Sequence, residues 1–325
     1  VEGLRVAAIV QRTGDEAQKS YPAARVVRSL EELLTIENVR LVVIATPNET
    51  HFPFAMRCLE AGRDVVVDKP FTTTLQEAVE LVNTAKRLGR VLSVYHDRRF
   101  DADFQALRKL LADGELGKII RFEAHYDRFR PKPKPGAWRE KPGPGSGVLA
   151  DLGPHLLDYA FTLFGLPESV AADVRIEREG FVTDDAFDIW LRYPGNLRAL
   201  LSATMLSATP RHRFVVSGTK GSYLKKDFDA LESALRIAPP KSGESWMLEK
   251  PENFGELTFV DREQLTKRKV PSFGDWREYY ANVRDVILGH AKLLVTPEQA
   301  VNVMMGLELV RESNDKRCQV PWRTM

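Results

Sequence analysis

The sequence predicts an α/β protein: a doubly wound parallel sheet comes first, followed by an α+β half built on a large, open, mainly antiparallel sheet. Three observations predict it. Over the first third of the chain, short continuous runs of Val, Ile and Leu alternate with longer amphipathic stretches. That is the pattern of parallel strands covered on both faces and joined by helices. After about residue 97 the apolar period falls to two, as in strands with one covered face. Gly- and Pro-containing turn signals then separate the later runs, for example Pro194-Gly195 and Gly218 to Gly221.

In the first half, residues 4–10, 40–46, 64–67 and 91–94 read as buried strands. Ser29 is placed to cap a short helix running to Leu34. Residues 51–61 carry apolar side chains at helical spacing and stop at Gly62, a good residue just past a helix end. Residues 74–88 put Leu75, Ala78, Val79, Val82 and Ala85 on one face, and Gly89 ends the helix. Strand–helix alternation makes residues 1–97 one doubly wound domain.

Residues 98–325 read as the second domain. Residues 101–112 form a helix. Ile120, Phe122, Ala124 and Tyr126 then alternate with polar neighbours, as do Phe187, Ile189, Leu191 and Tyr193. The runs at 169–178, 185–193, 197–206, 212–217 and 221–226 predict an antiparallel meander. Residues 227–275 are polar and rich in turn formers, which predicts a surface excursion or lid. Two helices follow, one over 276–288 and one from Thr296-Pro297 to about Asn314, with Pro in the first turn.

Composition excludes several classes. At 325 residues the chain has room for two domains, and 43% hydrophobic with 28% charged residues is ordinary globular content. A net charge of +2 gives no electrostatic reason to expect nucleic acid or a membrane surface as partner. No apolar run approaches the ~18 residues a bilayer requires, and the first residues do not resemble a secretory leader. Two isolated cysteines, Cys58 and Cys318, suit a reducing compartment, so a cytoplasmic location is expected.

Candidate chemistry gathers at strand ends, where open α/β sheets bind ligands. Pro47-Asn48-Glu49-Thr50-His51 follows one strand, Asp68-Lys69-Pro70 another, and Tyr95-His96-Asp97-Arg98-Arg99 a third. Lys69, at the rim of a core and followed by proline, is a candidate acid or base, or simply a solvated ammonium beside Asp68. The second cluster is Asp151, His155 and Asp158. On a helix Asp151 and His155 share a face, which suits a proton-transfer pair and equally a plain helix-surface hydrogen bond. No third ligand is spaced for a metal, so no metal site is predicted. Gly143 to Gly147 lacks the spacing of a phosphate loop.

With these motifs in order, the chain resembles the glucose–fructose oxidoreductase/inositol dehydrogenase (Gfo/Idh/MocA) family. The resemblance rests on Thr46-Pro47-Asn48-x-x-His51, Leu59-Glu60-Ala61-Gly62, Asp68-Lys69-Pro70, Asp151-x-x-x-His155-x-x-Asp158 and Thr296-Pro297-Glu298-Gln299-Ala300. Details such as Arg98-Arg99-Phe100, the stretch from Phe122 to Pro131 and Trp138-Arg139 are most similar to its NADP-dependent scyllo-inositol dehydrogenase branch. Asp68 stands where the family more often has Glu.

The resemblance implies a Rossmann-like first domain and a nicotinamide-dependent dehydrogenase of a small polyhydroxylated substrate. It implies that His155 accepts the substrate proton, Asp151 orients it and Lys69 hydrogen-bonds the reacting oxygen. It implies cofactor contacts at Thr46, Pro47, Asn48, His51, Asp68, Lys69, His96, Trp138 and Arg139. Substrate contacts are expected from Lys69, Asp151 and His155, with His125, Arg128 and Arg130 at the mouth of the open sheet. The second strand of such a domain ends near the adenosine ribose; here Arg12 follows and no acid does, which predicts NADP over NAD. The family's opening strand and Gly-x-Gly-x-x-Gly turn are not in these 325 residues; either the chain is part of a longer one, or its cofactor affinity is impaired. The alternative function is a non-catalytic nucleotide or sugar sensor. A homodimer or homotetramer through the C-terminal sheet is expected.

Overall fold

A computed structural model describes residues 1–133, 140–228, 231–237 and 249–324. The chain divides into two compact units, residues 1–96 with 277–304, and residues 97–276 with 305–325.

The first unit is Rossmann-like. Strand β1 (Ala8–Val10) pairs in parallel with β2 (Arg25–Val27), and β3 (Leu41–Ile44), β4 (Asp64–Asp68) and β5 (Leu92–Tyr95) form a second parallel sheet. The expected strand over 4–10 is shorter than its apolar run, because its ladder lasts only as long as the three residues of β2 opposite it. Leu4 and Val6 precede that ladder and are exposed. Helices α1 (Glu16–Ser20), α2 (Leu30–Leu34), α3 (His51–Glu60) and α4 (Leu75–Leu88) connect the strands.

The caps follow the sequence. Ser29 Oγ accepts from Glu32 N at 3.2 Å. Thr74 and Glu77 form a reciprocal capping box, and Gly89 takes the left-handed conformation at φ 61°. Val65, Val66 and Val67 of β4 are fully buried, as are Cys58 and Leu59 of α3.

Residues 277–304 belong to this unit, although local periodicity alone had grouped them with the second domain. Helix α8 (Arg277–Ile287) explains why. Tyr279 Oη donates to Ser93 Oγ at 2.8 Å, and Ser93 Oγ donates to Val295 O at 2.8 Å. The Tyr279 ring also meets Tyr95 edge-on, with centroids 4.9 Å apart.

The second unit is built on one nine-stranded sheet of order β13-β12-β11-β10-β6-β9-β8-β7-β14. Its strands are β6 (Ile119–Asp127), β7 (Ser169–Arg175), β8 (Ala186–Arg192), β9 (Arg198–Thr204), β10 (Phe214–Gly218), β11 (Gly221–Lys225), β12 (Gly255–Asp261), β13 (Gln264–Val270) and β14 (Val320–Pro321). The simple meander does not form. Strand β6 lies between β9 and β10, parallel to the first and antiparallel to the second.

The predicted excursion over 227–275 is also revised. Its described part contains helix α7 (Leu231–Ile237) and the β12–β13 hairpin, which extends the sheet by two strands. Helix α5 (Ala102–Ala112) precedes β6. The long helix α6 (Gly147–Phe164) covers one face of the sheet, where Tyr159 meets Phe214 of β10 edge-on. Helix α9 (Pro297–Lys316) starts at Thr296, whose hydroxyl accepts from Gln299 N at 3.3 Å. No helix among the described residues is long and apolar enough to cross a membrane.

Candidate functional site

In the first unit the candidates stand at the carboxyl ends of strands. After β3, Thr46 Oγ1 lies 2.5 Å from Thr50 Oγ1, and Thr50 N closes a turn onto Pro47 O at 2.8 Å. Buried Asn48 opens that turn. His51 is buried at the start of α3, with Nδ1 2.8 Å from Pro70 O and Nε2 2.9 Å from Thr46 O. Both ring nitrogens therefore face backbone carbonyls, and His51 ties the end of β3 to the end of β4. Asp68 Oδ1 accepts from Lys69 N at 2.8 Å, and half-buried Lys69 leads into a cis bond to Pro70. His96 is buried just past β5.

Arg12 is exposed on the loop after β1. Arg28, which sequence reasoning missed, holds that loop: its Nη1 donates to Gln11 O at 2.9 Å and Gly14 O at 2.8 Å. Its position just after β2 was the available signal. Thr46, Asn48 and Lys69 give the β3–β5 edge hydroxyl, amide and cationic donors, and Arg12 adds a cation after β1, a set that fits an anionic dinucleotide.

In the second unit α6 carries Asp151, His155 and Asp158, as their spacing predicts. The start of α6 is fixed by Asp184: Leu149 N donates to its Oδ2 at 2.6 Å, and Val148 N to its carbonyl at 2.9 Å. Gly147 is required there, at φ +88°, since a Cβ would fall 2.2 Å from Asp184 Oδ1. Burial pushes the Asp184 carboxyl up despite those bonds.

His155 is 5% exposed, with Nδ1 4.0 Å from Asp97 Oδ1 and its ring 6.2 Å from that of Tyr126. Asp158 is committed to Arg99, which donates to it through Nε at 2.7 Å and Nη2 at 2.5 Å. Asp151 is half-buried. Half-buried Arg128 is electrostatically coupled to it: burial and then Arg130 lower the Arg128 pKa, opposed by Asp151, Tyr126 and Glu232.

His125 is not brought to this group. Strand alternation puts Tyr126 toward α6 and His125 on the opposite face of the sheet, with Nε2 3.1 Å from Glu123 Oε2. Arg130 is exposed, and its carbonyl accepts from Arg178 at 3.1 Å. Trp138 and Arg139 lie outside the described residues.

Sequence reasoning also missed Arg213, which is fully buried beneath the site. Its guanidinium lies 4.1 Å from the Tyr126 ring centroid, and its Nη2 donates to Tyr126 Oη at 3.1 Å and Tyr159 Oη at 2.5 Å. It braces the ring that packs near His155. In sequence it is one basic residue in a strand-like run, so nothing marked it.

Comparison with known proteins agrees with this arrangement. Residues 1–96 match the family described as "Oxidoreductase family, NAD-binding Rossmann fold", and residues 104–224 match the "GFO/IDH/MocA C-terminal domain". An Escherichia coli oxidoreductase, YdgJ, is 43% identical over 97% of this chain and 90% of its own length. The scyllo-inositol 2-dehydrogenase (NADP(+)) IolW of Bacillus subtilis is 35% identical over 98% of this chain and 88% of its own. Among solved structures, the Bacillus subtilis oxidoreductase yvaA superposes with a TM-score of 0.95 at 34% identity, covering 99% of this chain and 92% of its own.

Proposed function

Because the chain belongs to the Gfo/Idh/MocA family of NAD(P)-binding oxidoreductases, we propose that it is an NADP-dependent dehydrogenase of a polyol or sugar CH–OH group, with an inositol-like substrate. The observation that carries this reading is His155, buried on α6 with carboxylates of Asp97 and Asp151 nearby in space or sequence. The name of the Bacillus subtilis relative supports the substrate class and NADP.

The roles are those the family resemblance implies. His155 accepts the proton of the reacting hydroxyl, and carboxylate charge stabilises the imidazolium that results. Lys69 donates a hydrogen bond to the same oxygen as negative charge develops on it. Arg128, coupled to Asp151, hydrogen-bonds further substrate hydroxyls. When bound, the nicotinamide supplies the hydride acceptor. Thr46, Asn48 and Lys69 hold it at the strand ends, and Arg12 pairs with the 2′-phosphate of NADP.

The test is absorbance of reduced nicotinamide on mixing the protein with NADP+ and inositols or aldoses. Turnover is expected, and His155→Asn and Lys69→Ala each lower kcat by ~10²- to 10⁴-fold. Arg12→Ala weakens NADP+ by about tenfold, ~1.4 kcal/mol, and leaves NAD+ unchanged. No turnover with any polyol, sugar or keto form overturns the reading. Nucleotide-dependent binding to a partner protein without turnover favours a sensor.

A further inference from the structure

The turn Asp97–Phe100 meets α6 at two positions that share a helix face, residues 155 and 158. At the second, Arg99 and Asp158 form a buried two-armed ion pair. A planar guanidinium against a planar carboxylate fixes orientation as well as distance. That pair sets the register of the turn against the helix. At the first position the same register brings Asp97 Oδ1 to 4.0 Å from His155 Nδ1.

Asp97 also has a cation beside it. Arg98 Nε lies 3.7 Å from its other oxygen. Arg98 is fixed in turn by Asp101 at 3.4 Å, by Glu232 of α7, and by the Trp276 ring, whose centroid is 5.3 Å from its guanidinium carbon. Among the described groups, the Tyr126 ring of β6 lies 6.2 Å from the imidazole, Asp151 precedes it by one turn on α6, and Asp158, nearly one turn later, is engaged by Arg99. Arg128 adds charge through its coupling to Asp151, and Arg213 lies under the Tyr126 ring.

We infer that Asp97 is a positioning residue for His155: its carboxylate draws Nδ1–H toward itself, leaves the lone pair on Nε2, and stabilises the imidazolium formed when the substrate proton arrives there. The inference deepens the reading of His155 as proton acceptor and rests on it. A neutral imidazole has one N–H, and a carboxylate beside Nδ1 favours the tautomer that keeps it there. In the step, the hydroxyl O–H bond breaks and the Nε2–H bond forms. The proton later leaves from Nε2 to solvent. Asp97 stays ionised throughout, with Arg98 balancing its charge.

The test does not depend on the cofactor. The ring Cε1–H resonances of the six histidines are titrated by NMR in the full chain, and that of His155 is assigned by its loss in His155→Asn. Asp97→Asn, nearly isosteric, is expected to lower the His155 midpoint by about one pH unit. The other midpoints stay in place, which also reports an intact fold. Asp97→Ser repeats the shift, and Asp97→Glu recovers part of it. An unchanged His155 midpoint in both Asp97→Asn and Asp97→Ser overturns the inference.

In turnover with NADP+ and myo-inositol or an aldose, Asp97→Asn lowers kcat by about tenfold or more and leaves KM unchanged. The acid limb of its kcat profile moves to lower pH with the midpoint. Failure of the parent reading has a different signature: His155→Asn retains full turnover while Asp97→Asn still shifts the midpoint.

Discussion

His125 and His155 are both buried, yet the sheet separates them by face. The fate of His125 could not be read from its residue type. Burial lowers its pKa and Arg211 lowers it further, opposed by Glu123 and Asp127. A histidine lowered in the folded state binds fewer protons there than in the unfolded chain. Stability is therefore lost as pH falls from the unfolded value near 6.5 toward the folded one. Urea titrations at pH 7.5 and 5.5 should show wild type losing more stability than His125→Gln. The cysteines divide in the same way. Burial pushes the Cys58 thiol up to about 11, whereas Cys318 is exposed. A disulfide reagent at pH 8 should react quickly with one thiol in the native protein and with the second only on unfolding. The placement of Lys69 just past a strand, and of Asp151 and His155 on one helix, was legible because a strand end and an i, i+4 spacing are local signals. Asp97 was visible only as one polar residue of a strand end, since its partner lies on another element.

Elements whose ends carry their own chemistry were legible. Ser29, Thr74 and Thr296 cap the helices their sequence promised, and Gly89 ends α4. The start of α6 was not, because its cap comes from a distant residue. Asp184→Ala should destabilise the protein by about 1 kcal/mol in denaturant unfolding. Asp184→Asn should cost less, because an amide oxygen still accepts from Leu149 N without the cost of ionising a buried acid. The β12–β13 hairpin was hidden for a related reason. Its turn holds Arg262 at φ 45° and Glu263 at φ 68°, positions where Asn or Gly is the usual signal. The insertion of β6 between β9 and β10 was equally invisible, since alternation reports a strand's faces and not its neighbours.

For the whole molecule, two sequential halves were the natural reading, and the order of elements within them was largely right. The chain is more interleaved than that: it leaves the first unit at residue 96, returns at 277 and leaves again after 304. The family match to the NAD-binding half also stops at residue 96, so that boundary is not a folding boundary. A fragment of residues 1–96 lacks Tyr279 and Val295, which satisfy and cover Ser93 at the centre of β5. It should show no cooperative thermal transition by circular dichroism. A version with residues 277–304 joined by a flexible linker should regain one, and a cooperative transition in the short fragment would contradict the role assigned to α8.

The return of α8 also sets a timetable for synthesis. Translation delivers the parallel strands of the first unit well before the residues that close over β5. The second unit waits as well, because β14 pairs with β7 through Val320 and Val170. A ribosome-bound chain halted at residue 276 would hold both units unfinished at once, with β5 and β7 each lacking a late-arriving partner. Nascent chains of this length should therefore recruit holdase chaperones and resist protease poorly until residues 277–321 emerge.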